Sequence, residues 1–193
     1  MKVTKAQAQA NRERIVETAS TLFRERGYDG VGVADLMGAA GFTHGGFYKH
    51  FKSKTDLMAQ AAHCGVAQSA AATAGISRKD FVKYYLSRKH RDNPGEGCTM
   101  AALGTDAARQ SVQVKETFAA GIERMLALLA SDAGGTDMDA ARTAQAGTRA
   151  ETIDTLARLV GAVVLARACP AGSPLSDEIL QACRSAMLPA AKS

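Results

Sequence analysis

Apolar residues in this chain recur at helical spacing almost from end to end, and no segment alternates apolar and polar side chains with the period of two that a half-buried strand requires. β-Branched residues are scattered among alanines. The four prolines, Pro94, Pro170, Pro174 and Pro189, fall between helical patterns or at the tail, where a missing N–H does least harm. The chain therefore reads as all-α, with about nine helices. Its 193 residues suit one domain, or a small domain joined to a larger one, and are enough to bury a core without disulfides or metal.

The first helix is expected over 5–26. Ile15, Val16, Ala19, Leu22 and Phe23 form one apolar stripe, Thr4 with Gln7 makes a capping box, and Gly27 makes a stop. Short helices follow over 33–40 and 44–50. A fourth opens at the capping box Ser53–Asp56 and runs to 72; a fifth opens at Ser77–Asp80 and runs to about 90. Turn residues mark 92–97 as a loop. Helices over 98–109 and 111–131 come next, then a two-glycine turn at 132–136. An eighth helical region opens at Thr136-x-x-Asp139, breaks near Gly147 and reaches Ala168. Ser173-Pro174 opens a ninth, to about 188.

Composition excludes several classes. Apolar residues at 46% and charged residues at 22% rule out a disordered chain, and no apolar run is long enough to span a membrane. The N-terminus has no apolar signal region. Cys64, Cys98, Cys169 and Cys183 are far apart and form no C-x-x-C, so neither a zinc site nor a disulfide framework is expected. These features point to a reducing, cytoplasmic setting, with no metal or cofactor. The net charge is +5; residues 1–57 hold nine Lys/Arg against six Asp/Glu, so the basic excess is denser at the front. That balance permits nucleic-acid binding without establishing it.

Residues 31–57, VGVADLMGAAGFTHGGFYKHFKSKTDL, carry the chemistry. Two short helices flank Ala40–Thr43. Gly41 suits a turn needing positive φ, and Thr43 is a natural N-cap. Leu36, Phe47 and Phe51 can point inward onto the stripe of the first helix, as a helix-turn-helix requires. The outer face of the second short helix then reads Thr43, His44, Gly45, Gly46, Tyr48, Lys49 and His50. Two interior glycines cost about 1 kcal/mol each against alanine, and close approach of DNA to bare backbone would compensate. Tyr48 and Lys49 suit phosphate oxygens, and His44 and His50 phosphates or base edges. Lys52 and Lys54 stand at a helix start whose free N–H groups also favour phosphate. The ordinary alternative makes His44, His50, Lys49 and Lys52 solvated surface residues.

GFTHGGFYKHFKSKTDL closely resembles the signature of the tetracycline-repressor (TetR-type) transcriptional regulators, and IVETASTLFRERGYDGVGVADL resembles that family's first helix, Gly-Tyr corner and second helix. The resemblance covers about residues 11–58. It implies an all-helical protein with a three-helix DNA-binding head, a connecting fourth helix, and a larger body that binds a small molecule and dimerises through its last two helices. It places the DNA-binding domain at 1–57 and the effector-binding and dimerisation domain at 58–193. Two departures stand out. Many members carry Ser or Thr where this chain has Val31 and Gly32, so any phosphate contact from Gly32 is through backbone. Met37 replaces a common alanine and can fill core space. Residues 85–109 resemble a segment of one branch of the family.

The function so implied is a homodimeric, ligand-responsive repressor of a palindromic operator, not an enzyme. Its partners would be double-stranded DNA, a small-molecule effector and a second copy. Tyr84, Tyr85, Cys98, Met100, Phe118, Ile122 and Met125 are candidates to line an effector cavity; their ordinary reading is plain core. The set lacks concentrated charge, which points to an uncharged effector. Cys98, at a helix N-terminus, is a candidate oxidant or electrophile sensor, or more remotely a thiol nucleophile, against the reading of a small buried hydrophobe. Leu159–Ala166 is apolar all round, with Gly161 and Ala162 permitting close helix approach. Leu159, Gly161, Ala162, Val163, Leu165, Ile179, Cys183 and Met187 are candidates for a four-helix dimer interface, or for a buried hairpin within one chain.

Overall fold

The computed structural model describes residues 4–130 and 149–188. Those residues are all-α, as expected. The helices are α1 (Lys5–Arg26), α2 (Val33–Ala39), α3 (Lys54–Ala72), α4 (Arg78–Tyr85), α5 (Arg88–Asp92), α6 (Thr99–Ala107), α7 (Val112–Ala130), α8 (Arg149–Ala168) and α9 (Pro174–Met187), with 3₁₀ helices at His44–Lys49 and Pro94–Glu96. The expected turn at 132–136, the start at Thr136–Asp139 and the break near Gly147 lie outside the described residues. Two compact units divide the chain: residues 1–69 with 94–119, and residues 70–93 with 120–193. The sequence-based boundary after residue 57 falls inside α3.

In the first unit the Thr4 hydroxyl accepts the Gln7 N–H at 3.1 Å, so α1 begins where the capping box places it. The reciprocal half of the box is absent, because the Gln7 amide donates to Asn11 instead. Gly27, at φ 73°, ends the helix, its N–H donating to the Phe23 carbonyl. The stripe residues Ile15, Ala19 and Phe23 are fully buried with Leu36, Met37, Phe47, Phe51 and Leu57. Met37 thus fills core space. The tail of α1 also buries a charge. The Arg24 guanidinium donates to the Gly95 carbonyl through two N–H groups, to the Ser20 hydroxyl at 2.6 Å and to the Gln68 side chain at 3.1 Å. Gly95 belongs to the 3₁₀ turn that occupies the expected 92–97 loop.

The second unit differs from expectation at one helix. The fifth helix does not run on to residue 90; it stops at Tyr85 and restarts at Arg88. Ser87 causes the break. Its hydroxyl donates to the Tyr84 carbonyl at 2.7 Å and accepts the His90 N–H at 3.2 Å, closing one helix and capping the next. His90 turns inward, and its Nδ1–H donates to the Tyr85 carbonyl at 2.7 Å. Across the α8–α9 pair, Ser176 donates to the Ala166 carbonyl, and from α5 Arg88 and Arg91 converge on Asp177 of α9.

Three predictions test this packing. Gly65 of α3 faces Arg24, Thr99 and Ser20 so closely that a methyl group there would collide with all three. Gly65→Ala should lower stability by about 1–3 kcal/mol in urea denaturation despite alanine's better helix propensity. Gly104 of α6 faces open space, so Gly104→Ala should raise it by up to about 1 kcal/mol. Burial, ahead of the Arg167 charge, pushes the His90 imidazole down to about 4, against the opposing pull of its Tyr85 hydrogen bond. Because the folded value lies below the unfolded one, the unfolded chain binds the extra proton between about pH 6.5 and 4. Stability should therefore fall by up to about 3 kcal/mol as pH drops through that window. In His90→Gln, melting temperatures recorded over the same range should lose that component; an unchanged slope would contradict it.

Candidate nucleic-acid interface

The helix-turn-helix is assembled as the residue pattern requires, with one difference. Gly41 turns the chain at φ 83°, the left-handed region that favours glycine, and the Arg14 guanidinium lies against it. The segment after the turn is a 3₁₀ helix rather than an α-helix. Its bonds run from the Gly46 N–H to the Thr43 carbonyl and from the His50 N–H to the Phe47 carbonyl. The glycine pair explains this, since it removes the side chains that would stabilise a longer α-helical turn. Thr43 stands at the N-cap position, but its side chain makes no capping bond. Gly32 likewise starts α2 with no side-chain cap.

Phe47 holds this segment in place. It is buried at 1% exposure and packs against the Phe51 ring at 5.5 Å. Its neighbour Tyr48 is 71% exposed, set edge-on to Phe47. Thr43, His44, Gly45, Tyr48 and Lys49 are exposed together, while Gly46 and His50 are half-buried. A Cβ added at Gly45 would meet no neighbour within 4 Å, so nothing in the chain itself calls for glycine there.

The lysines separate. Lys52 is exposed. Lys54 is half-buried, its ammonium donating to the Tyr28 carbonyl at 2.6 Å with the Phe23 ring 6.0 Å away. That contact ties the start of α3 to the corner after α1. The start of α3 is itself occupied. Asp56 donates its N–H to the Ser53 hydroxyl, and its carboxylate accepts the Lys52 N–H at 3.2 Å. An acidic side chain therefore already complements this helix end, which lowers its appeal to a phosphate.

Sequence reasoning missed the outer bracing. Arg12 donates to the His50 carbonyl at 3.3 Å and lies over the Phe51 ring at 5.0 Å; Arg14 lies over Phe42 at 5.8 Å. These arginines sit beside the apolar stripe of α1, and no local motif marks them. The Gly-Tyr corner was legible, but not the packing of Tyr28: its ring is fully buried, 5.1 Å from Phe23, and its N–H donates to Asp106.

The other sites expected from sequence are placed as follows. Cys98 is 5% exposed at the N-cap of α6. Cys98, Met100 and Phe118 are buried in the first unit, whereas Tyr84, Tyr85, Ile122 and Met125 belong to the second. Tyr84 and Tyr85 pack their rings on His90, at 5.7 and 4.5 Å, and Ile122 is exposed. In the α8–α9 pair, Leu159, Ala162 and Val163 are already buried by their own chain. Leu165 is 59% exposed, and Gly161, Ile179, Cys183 and Met187 are half-buried.

Residues 15–61 match the family described as bacterial regulatory proteins, tetR family. The HTH-type transcriptional regulator AcrR of Shigella flexneri is 39% identical over 57 residues, which are 30% of this chain and 26% of that protein. The chain thus matches about a quarter of the length of such curated relatives. Among solved structures, the reduced form of Escherichia coli NemR superposes with a TM-score of 0.68 at 19% identity, covering 92% of this chain and 94% of that one. AibR in complex with isovaleryl coenzyme A and operator DNA superposes at 0.58 with 16% identity, covering 91% and 97%. At these identities the structures speak for the fold alone.

The adjacent aromatics give a test of the site's construction. Phe47→Ala should destabilise the protein by about 3–5 kcal/mol, as expected for a buried phenylalanine. Tyr48→Ala should change stability by no more than about 0.5 kcal/mol. Chemical denaturation of both variants measures the difference; similar losses would refute the assignment of one ring to the core and the other to the surface.

Proposed function

We propose that this chain, which carries the N-terminal head of the tetR family of bacterial regulatory proteins, is a homodimeric, ligand-responsive transcriptional repressor. The carrying observation is the bare, exposed face of Thr43–Lys49, held rigid by Phe47 and Phe51 and backed by Arg12 and Arg14. Exposed Tyr48 and backbone at Gly45 offer what a groove-entering element needs: an aromatic donor on a fixed mount and a main chain that phosphates or base edges can approach. Lys49 and Lys52 supply positive charge; His44, His50, Gly46 and the backbone at Gly32 are the remaining contacts. Lys54 acts mainly by holding the Tyr28 corner. Residues 1–57 form the DNA-binding part and residues 58–193 the effector-binding and dimerising part.

The dimer face lies on α8 and α9. Ile153, Leu165 and Leu175 are large apolar residues left exposed in the single chain, and Gly161, Ile179, Cys183 and Met187 flank them. A second copy packed there would form a four-helix arrangement, with Leu159, Ala162 and Val163 as its support. Its two-fold axis would match an approximately palindromic operator. A small uncharged effector would favour a state in which the two heads no longer fit both half-sites, so the coupling is a difference in its affinity for two states. Burial of Cys98 supports its reading as a core residue over an oxidant sensor or a nucleophile.

Band shifts on DNA from upstream of the protein's own coding sequence test this. The wild-type chain should bind with affinity that falls steeply with salt. Lys49→Ala should reduce the slope of log K against log salt by about 1, and Tyr48→Ala should weaken binding roughly tenfold with folding intact. Leu165→Glu should yield a folded monomer with lost operator affinity. Unaltered binding by Tyr48→Ala, or a wild-type protein that sediments as a monomer, would overturn the proposal.

A further inference from the structure

The second unit carries a groove of about 390 Å³ where the start of α4, the first turns of α8 and the end of α9 meet. None of the residues expected from sequence to face an uncharged effector lines it; Met187, which does, is a candidate for the dimer face. Its lining joins apolar Met187 and Leu188, with the almost wholly covered Val82, to basic Arg78, Lys79 and Arg158. One carboxylate, Asp154, lines the groove, and it is taken by Arg158 at 2.9 Å. Two positive charges are left without an acidic partner among the described residues.

Arg78 is exposed like Lys79 and Arg158, but its guanidinium is anchored on a buried hydroxyl. In the same unit Arg88, Arg91, Arg149 and Arg158 each meet a carboxylate. Arg78 instead donates to the hydroxyl of Thr155 at 3.1 Å, and that threonine is buried. Fixing an arginine side chain costs up to about 2 kcal/mol of rotamer entropy, which its bond to the buried hydroxyl offsets in part. The contact leaves the other guanidinium N–H groups unused among the described residues, pre-oriented beside an apolar wall. A planar fork of donors set next to apolar surface is the arrangement that recognises a carboxylate on an apolar body.

We propose that this groove binds a small amphipathic organic anion. Its acid group pairs with Arg78 and is aided by Lys79; its apolar part lies on the half-buried Met187 and Leu188, with Val82 beneath them. The site stands on its own geometry and does not depend on the assignment of the head to DNA. It adds a charged ligand class to the uncharged effector implied by the aromatic and methionine residues.

Titration calorimetry of the full chain with sodium octanoate, octan-1-ol and inorganic phosphate tests the proposal, with methyl NMR of Val82 and Thr155 locating the site. Octanoate should bind saturably and shift both methyl signals, and each of the other two probes should bind at least about tenfold more weakly, since each lacks one half of the recognition. Arg78→Gln should weaken octanoate binding by at least about tenfold at an unchanged melting temperature. Thr155→Val keeps the charge but frees the arginine, so it should weaken binding by a smaller factor. Equal binding of octanol and octanoate, unaltered affinity in Arg78→Gln, or no saturable binding would overturn the proposal. Band shifts on the same preparations keep the outcome separate: failure here with intact DNA binding rejects the groove alone.

Discussion

The first unit is organised around a buried cation. Arg24 is 5% exposed, and burial pushes its guanidinium below the ordinary arginine value while leaving it charged. A buried charge is tolerable only when its donors are satisfied, and here the Gly95 carbonyl, Ser20 and Gln68 do so. Each partner imposes a constraint. The 94–96 turn must close so that its carbonyl faces α1, and α3 must pass close enough for Gln68 to reach. Position 65 must lack a side chain, because any Cβ would occupy the space the guanidinium needs. One side chain thus ties α1, α3 and the approach to α6 together.

The head takes its rigidity from the same helix. Arg12, Arg14 and Phe23 project from α1 toward the 3₁₀ segment, the turn and the Tyr28 corner, respectively. Lys54 closes the set from α3. A 3₁₀ helix of six residues with two glycines has little stability of its own. It is specified by the burial of Phe47 and Phe51, and this frees its outer residues from any packing duty. Exposed Tyr48 and unobstructed Gly45 follow from that division of labour.

The second unit solves a different problem, that of many arginines in a small space. Asp177 receives both Arg88 and Arg91, and Arg167 reaches the carbonyls of His90 and Arg91. Side-chain hydrogen bonding to Arg88 leads the causes that hold the Asp177 carboxyl below its usual range. His90 sits within this cationic region as a neutral imidazole, since burial and the Arg167 charge both oppose its protonation. Unlike Arg88, Arg91, Arg149 and Arg158, Arg78 is held by a hydroxyl rather than a carboxylate.

Periodicity and capping chemistry made most of the helices legible, because both are local: Thr4, Gly27, Ser53, Ser77 and Pro174 act within one turn of where they stand. The Gly41 turn and the inward Phe47 were legible for the same reason, and Tyr48 was readable as their outward neighbour. Ser87 was equally local but lay inside a continuous helical pattern, so its break did not show. Contacts between residues distant in sequence left no such trace. Arg24 with Gly95, Lys54 with Tyr28, Arg12 with His50 and Arg78 with Thr155 each join positions from 26 to 77 residues apart. Which lysine turns inward, and which residues of α8 are already covered, were likewise decided by packing. Sequence alone determined the helices, the turn and the bare face of the head, since these need only neighbouring residues. Tertiary structure alone decided where the charges go, because a buried or half-buried cation is placed by whichever acceptors the folded chain brings within reach.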